Sequence, residues 1–270
     1  MAIYPPANIC VYCGSSERPL SDEHIIPLSL HGWEVLQKAS CNSCADITKK
    51  FEQRVARNMY WPYRAKYNFP TRRKKDRPNK FPITFVKHDG NEVKVKLPVE
   101  EHPNFYLSLL LPEPCLIAGR ELSNSNPEMK VELKGDKKSL DKLMAESGYP
   151  CVKIDCVAMW GDLCRLIAKI AHSYVFAVLR GNGYLSLLPE VILGDNEYIS
   201  HYIGGIKESE LSSIVNQLTV NLEEINDEYY LVVYVQLLLI GSLPIYKAIA
   251  GKVTDIDAVL SQIAKAVSES

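Results

Sequence analysis

Cys10-Val-Tyr-Cys13 and Cys41-Asn-Ser-Cys44 are two pairs of thiols at the spacing that folds a knuckle around one metal ion. Thiolates are soft ligands, and four of them favour Zn²⁺ in a closed tetrahedral site. Such a site has no open position for substrate, so its zinc would be structural. Its binding energy would help fold a segment too small to make a core of its own. The alternatives are two coincidental pairs or a redox CxxC. Between the pairs lies Ser21-Asp-Glu-His-Ile-Ile-Pro27. An acid followed directly by a histidine suits metal-assisted hydrolysis: a carboxylate can hold a hard divalent ion, and an imidazole of pKa ~6.5 can take a proton near neutrality.

These residues need elements to hold them. Residues 8 to about 60 read as a compact metal module: a knuckle at Cys10–Gly14, a loop, a short hairpin-like segment carrying His24–Leu30, and a helix from about Asn42 to Met59. In that helix Ile47, Phe51 and Val55 recur on one face. Residues 61–82 contain Pro62, Pro70, Pro78 and Pro82, which argue against a continuous helix and for a basic connector. Beyond it the pattern is mixed α+β. Ile83–Val86 and Val93–Leu97 alternate around Asp89-Gly90, a hairpin signal. Tyr106–Leu111, Met129–Leu133 and Val152–Cys156 are further strand candidates. Lys138–Glu146, Met159–Leu179 and Asp255–Val267 are expected helices. Ser213–Asn221 and Tyr229–Leu239 are expected to pair as strands joined through Glu223–Asp227. Gly181, Gly183 and the Gly204-Gly205 pair read as turn glycines. His172, on an apolar helix, reads as a core or interface residue, and His201 is open to either a structural or a ligand role. The expected organisation is therefore α+β: a metal module at 1–60, a connector at 61–82 and a mixed domain at 83–270.

The net charge of −1 hides an asymmetry. Lys49 to Lys80 holds twelve basic residues against Glu52 and Asp76, so the remainder of the chain is acidic. Thr71-Arg-Arg-Lys-Lys-Asp-Arg77 is flanked by Trp61, Tyr63, Tyr67 and Phe69. Basic residues interleaved with aromatics suit phosphate contacts and base stacking, although a solvated loop is the usual fate of a charge run. The expected contacts are Lys49, Arg54, Arg57, Arg72, Arg73, Lys74, Lys75 and Arg77, made to the backbone and hence with little sequence preference. DNA is the expected partner and RNA the second candidate. Cys115, Cys151, Cys156 and Cys164 lie among apolar residues and are expected to behave as small buried hydrophobes. The first residues lack the basic and apolar regions of a secretory leader. Tyr229–Ile240, the longest apolar run, contains Gln236 and falls short of the ~20 residues a span needs. No membrane partner and a cytoplasmic setting are expected.

The order CxxC, Glu23-His24-Ile25-Ile26-Pro27, then CxxC opening a helix resembles the HNH endonucleases with a ββα-metal site. The likeness covers about residues 8 to 60, with looser echoes in 61–80, Lys169–Tyr174 and Tyr202–Gly205. It implies His24 as the general base that activates water against a phosphodiester. It implies Glu23 as a ligand of one catalytic Mg²⁺ or Mn²⁺, and Pro27 as a stiffener of the turn. The family's usual donor directly after the last Cys is Ala45 here, which moves the second ligand to Asp46. Asn42, His31, Thr48 and Lys49 remain alternatives. Leu36 stands where the middle Asn of the family's name is expected. The resemblance implies a metal-dependent nuclease cutting DNA. The alternative is a zinc-containing nucleic-acid-binding protein that has lost catalysis, and a third is an adaptor whose C-terminal domain binds a protein or small ligand, with the HNH module as effector; a homodimer is a further partner candidate.

Overall fold

The computed structural model describes residues 2–71, 78–103, 105–123, 127–153, 157–206, 216–237 and 244–268. Strand β1 (Ile3–Tyr4) runs parallel to β3 (Val35–Cys41), which pairs antiparallel with β2 (Leu20–His24). The hairpin therefore ends at His24 rather than beginning there. Leu28–Leu30 is a single 3-10 turn at its tip. Gly32 lies so close to this turn that an added Cβ would stand 1.9 Å from the Ile26 carbonyl oxygen. A glycine is required there by proximity, not by a positive φ.

Helix α1 (Asn42–Asn58) follows β3 without a break and buries Cys44, Thr48, Phe51, Val55 and Ala56 on one face. The connector then departs from expectation. Trp61–Lys66 is a short helix, α2, with Pro62 in its first turn, where a missing N–H costs nothing.

Strands β4 (Lys80–Val86) and β5 (Glu92–Pro98) form the expected hairpin, its turn fixed by Gly90 at φ 82° and by the Asn91 N–H donating to Asp89 Oδ1. Strand β6 (Phe105–Leu110) pairs with β7 (Lys130–Gly135). Helix α3 (Lys137–Ser147) carries its own punctuation: Asp136 accepts from the Ser139 N–H, and Gly148 ends it in the left-handed conformation. Strand β8 (Cys151–Lys153) completes the β5-β4-β8 sheet. Cys151 is exposed, against expectation, while Cys115 and Cys164 are buried and Cys156 lies outside the described residues.

Helix α4 (Trp160–Leu179) is buried along most of its length, as an almost uniformly apolar helix should be. After it come β9 (Tyr184–Ser186), α5 (Pro189–Leu193), α6 (Ile199–Tyr202), β10 (Ile203–Gly205), β11 (Gln217–Ile225), β12 (Glu228–Gln236), β13 (Tyr246–Val253) and α7 (Ile256–Ser268). The main sheet has the order β10-β13-β12-β11, with β9 also on β13. Gly204 and Gly205 sit inside β10, not in a turn. A Cβ on Gly204 would meet the Pro112 carbonyl oxygen at 2.4 Å.

The fold is α+β as expected. Helix α4 packs on β12, β13 and α1. One apolar cluster runs from Cys10 through Phe51, Leu109 and Ile167 to Val259, so residues 1–60 share their core with the rest of the chain. The Tyr246 hydroxyl, donating to the Leu109 carbonyl at 3.2 Å, joins the main sheet to β6.

Candidate metal centre and its polar core

The first knuckle is shaped by its own backbone. The Gly14 N–H donates to the Cys10 carbonyl at 2.8 Å with Gly14 at φ 73°, and the Val11 N–H donates to Ala39 on β3. The second pair is placed by the strand-to-helix junction: Cys41 is the N-cap of α1 and Cys44 lies in its first turn. All four sulfurs fall within 4.8 Å of one another. A tetrahedral zinc with Zn–S near 2.3 Å needs sulfurs about 3.8 Å apart. Cys13 Sγ and Cys41 Sγ are 3.8 Å apart. The thiols therefore fit one thiolate-bound ion. Burial works to raise the Cys41 pKa, but the Cys44 N–H and the neighbouring thiols outweigh it and bring it down to about 6. A thiol at a helix N-terminus is thus ready to ligate.

The structure gives the three residues expected to do chemistry different surroundings. His24 ends β2 opposite Val35 and is half-buried. Asp46 is exposed on α1, off its buried face. Glu23 turns inward and is buried. Its Oε1 lies 2.6 Å from the Lys169 ammonium of α4, which has no solvent exposure and also lies 3.1 Å from Glu52 Oε1 of α1. The same ammonium donates to the carbonyls of His24 and Ile25. Burial would lower the Lys169 pKa, but the two carboxylates outweigh it and hold it above the ordinary lysine value. Lys169 is therefore cationic, with four oxygens around it.

Neither Glu52 nor Lys169 was expected in the site. Glu52 lies seven residues after Ala45, on the same stripe of α1. Lys169 interrupts the apolar run Leu166-Ile-Ala-Lys-Ile-Ala171. A lone charge amid such a run signals a buried partner.

Two further residues of α4 continue the contact. The His172 Nε2–H donates to the Val11 carbonyl at 2.7 Å, and its Nδ1 lies 3.0 Å from the Ser186 hydroxyl. Burial pushes its pKa down to about 4. The Tyr12 hydroxyl meets Ser173 Oγ at 3.1 Å. One polar stripe on α4 thus grips the knuckle and the Glu23–His24 strand together.

A catalytic Mg²⁺ or Mn²⁺ needs an open position lined by oxygen donors. Glu23 is committed to Lys169, Ala45 has no donor and Asp46 faces solvent. Among the described residues the four cysteines are the one group of three or more His, Cys, Asp or Glu ligands placed to share an ion. Glu23 and Asp46 do not fit a divalent-ion site in this arrangement.

Of the residues expected to meet phosphate, Lys49, Arg54 and Arg57 are exposed on α1, and Arg54 is paired with Asp162 of α4. Arg72, Arg73, Lys74, Lys75 and Arg77 lie outside the described residues. Trp61 is stacked on Phe81 at 4.4 Å, and Tyr63 and Phe69 are buried. Of the four aromatics beside the basic run, Tyr67 is the exposed one. Among the described residues no helix is long and apolar enough to cross a membrane. No protein-family model, curated protein or solved structure matches this chain.

Proposed function

We propose that this chain is a zinc-scaffolded nuclease of the HNH type that cuts DNA phosphodiesters. The observation that carries the reading is the unbroken order β2, β3, α1, with the two Cys pairs brought together and His24 half-exposed at the end of β2. His24 takes a proton from water as that water attacks phosphorus, and the 3′ oxygen leaves. The exposed Lys49 and Arg57 on α1 supply phosphate contacts. The catalytic Mg²⁺ or Mn²⁺ that the resemblance implies finds no formed site at Glu23 and Asp46, so no step is assigned to it.

A second reading is a zinc-containing nucleic-acid-binding protein without catalysis. It is favoured by the Lys169 ammonium on Glu23 and by the missing donor at Ala45. Supercoiled plasmid incubated with and without Mg²⁺ or Mn²⁺ decides between them. The first reading expects nicking that His24→Ala abolishes. Binding without nicking under any divalent ion would establish the second. Asp46→Ala should cut normally, since Asp46 faces solvent; loss of cutting in that variant would return Asp46 to the site.

A further inference from the structure

Two exposed rings stand at the tip of the β2–β3 hairpin and a third at the end of α2, joined through a buried aromatic base. Trp33 and Tyr67 are each 44% exposed, and His31 is exposed between them in the chain of ring contacts. His31 meets Trp33 edge-on at 5.4 Å and Phe69 at 5.2 Å. Tyr67 packs on Tyr63 at 4.6 Å, and Tyr63 meets Phe69 at 5.8 Å. The buried Phe69 and Tyr63 therefore link the exposed rings in one chain of ring contacts.

The backbone that presents these rings is held firmly. His31 and Asn68 adopt φ of 63° and 52°, costly for residues with a side chain and kept only where the surroundings enforce them. Arg64 Nε donates to the Ser29 carbonyl at 2.7 Å, tying α2 to the hairpin tip. Asn216 donates to the carbonyls of Leu30 and His31. The stretch from 60 to 71 carries Arg64 and Lys66 and no acidic residue.

We propose that His31, Trp33 and Tyr67 form a stacking platform for unpaired bases of DNA, which rests on the reading that the chain engages DNA. Exposed rings on a packed aromatic base, with the exposed Lys66 one residue before Tyr67, match an unpaired nucleotide, whose base is a flat apolar ring and whose phosphate is anionic. A base pair inside a duplex offers no free face to such rings. The register extends the argument to the hairpin's chemistry. His24 opposes Val35, and Trp33 lies two residues ahead of Val35, just outside β3 and at most about 7 Å away along the chain. A base on Trp33 brings its own phosphates to the His24 end of the hairpin. The preferred substrates are then single strands, bulges or frayed ends, not uniform duplex.

The test measures binding with His24→Ala protein, so that cleavage plays no part. Fluorescence anisotropy compares an oligothymidylate of about 12 nucleotides, within the usual site size, with a duplex of the same length. Trp33→Ala should weaken the single-strand affinity roughly 5- to 150-fold, equivalent to ~1–3 kcal/mol of stacking per base, and leave the duplex affinity within a factor of about 2. Tyr67→Ala should act in the same direction, and Trp33→Phe should keep most of the affinity. Quenching of tryptophan emission by the oligothymidylate should vanish in Trp33→Phe. Equal losses for both DNAs, or no loss for either, with zinc content and circular dichroism unchanged, would overturn the platform. A platform confirmed in protein that never nicks plasmid would stand beside the non-catalytic reading; nicking without the single-strand preference would refute the platform alone.

Discussion

A lysine with no access to water is tolerable only when its charge is met, and Lys169 is met by two carboxylates and two carbonyls. Removing one side of such a buried group strands the other. Lys169→Met should therefore destabilise the protein by about 3–5 kcal/mol, read from the midpoint of urea unfolding. The double variant Lys169→Met with Glu23→Gln should recover part of that loss. If the single variant unfolds at the wild-type midpoint, Lys169 is not the buried cation described. His172 gives a pH test with a definite sign. Its folded pKa of about 4 lies below the unfolded ~6.5, so the unfolded chain takes up the proton first. Its contribution is fully present above pH ~6.5 and is lost as the pH falls towards 4. Zinc release in acid acts in the same direction. The measurement is thus the difference between wild type and His172→Gln, whose melting temperature should fall less steeply over that window. Parallel profiles would show that His172 titrates no differently in the folded and unfolded chain.

At the scale of elements, the hairpin tip is fixed by one close approach. In Gly32→Ala the new Cβ would press on the Ile26 backbone, which must move. A cost of about 1–3 kcal/mol is expected, and the shift reaches the strand that carries His24. A crystal structure or a melting curve indistinguishable from wild type would remove that constraint. This proximity also shows which features a sequence can display. The β4–β5 hairpin was legible because Asp89-Gly90 and its alternating flanks are local. So were α3, with Asp136 and Gly148 at its ends, and α4, with its continuous apolar surface. Strands β1, β9, β10 and β13 were not legible, because they exist through partners distant in the chain. Helix α2 was missed because Pro62 reads as a breaker until its place in the first turn is known. The same distinction holds in the site. The cysteine pairs declare themselves by spacing, whereas Glu23 meets Lys169 across 146 positions, and nothing local to either residue names the other.

For the molecule as a whole, the shared core makes any ion held by the four cysteines a concern of every layer. Because one apolar cluster runs from Cys10 to Val259, chelation should lower the melting temperature of the entire chain in a single transition. Two separated transitions in calorimetry, one insensitive to chelator, would show instead that the knuckle melts alone. The charge asymmetry yields a second whole-molecule expectation: DNA affinity should fall steeply with added salt, since contacts to phosphate release counterions. Binding that stays constant from low to high salt would contradict a phosphate interface. The polar stripe of α4 also bears on transplantation. Lys169 is met by Glu23 and Glu52, His172 by Val11 as well as Ser186, and Ser173 by Tyr12, so a fragment beginning after residue 60 would display a naked cation, a half-satisfied imidazole and a hydroxyl on an otherwise oily helix. The first sixty residues moved onto another scaffold would in turn leave Glu23 searching for a counter-charge. This four-cysteine hairpin is not a detachable cassette, and any chimera that is to fold must carry the matching face of α4 with it.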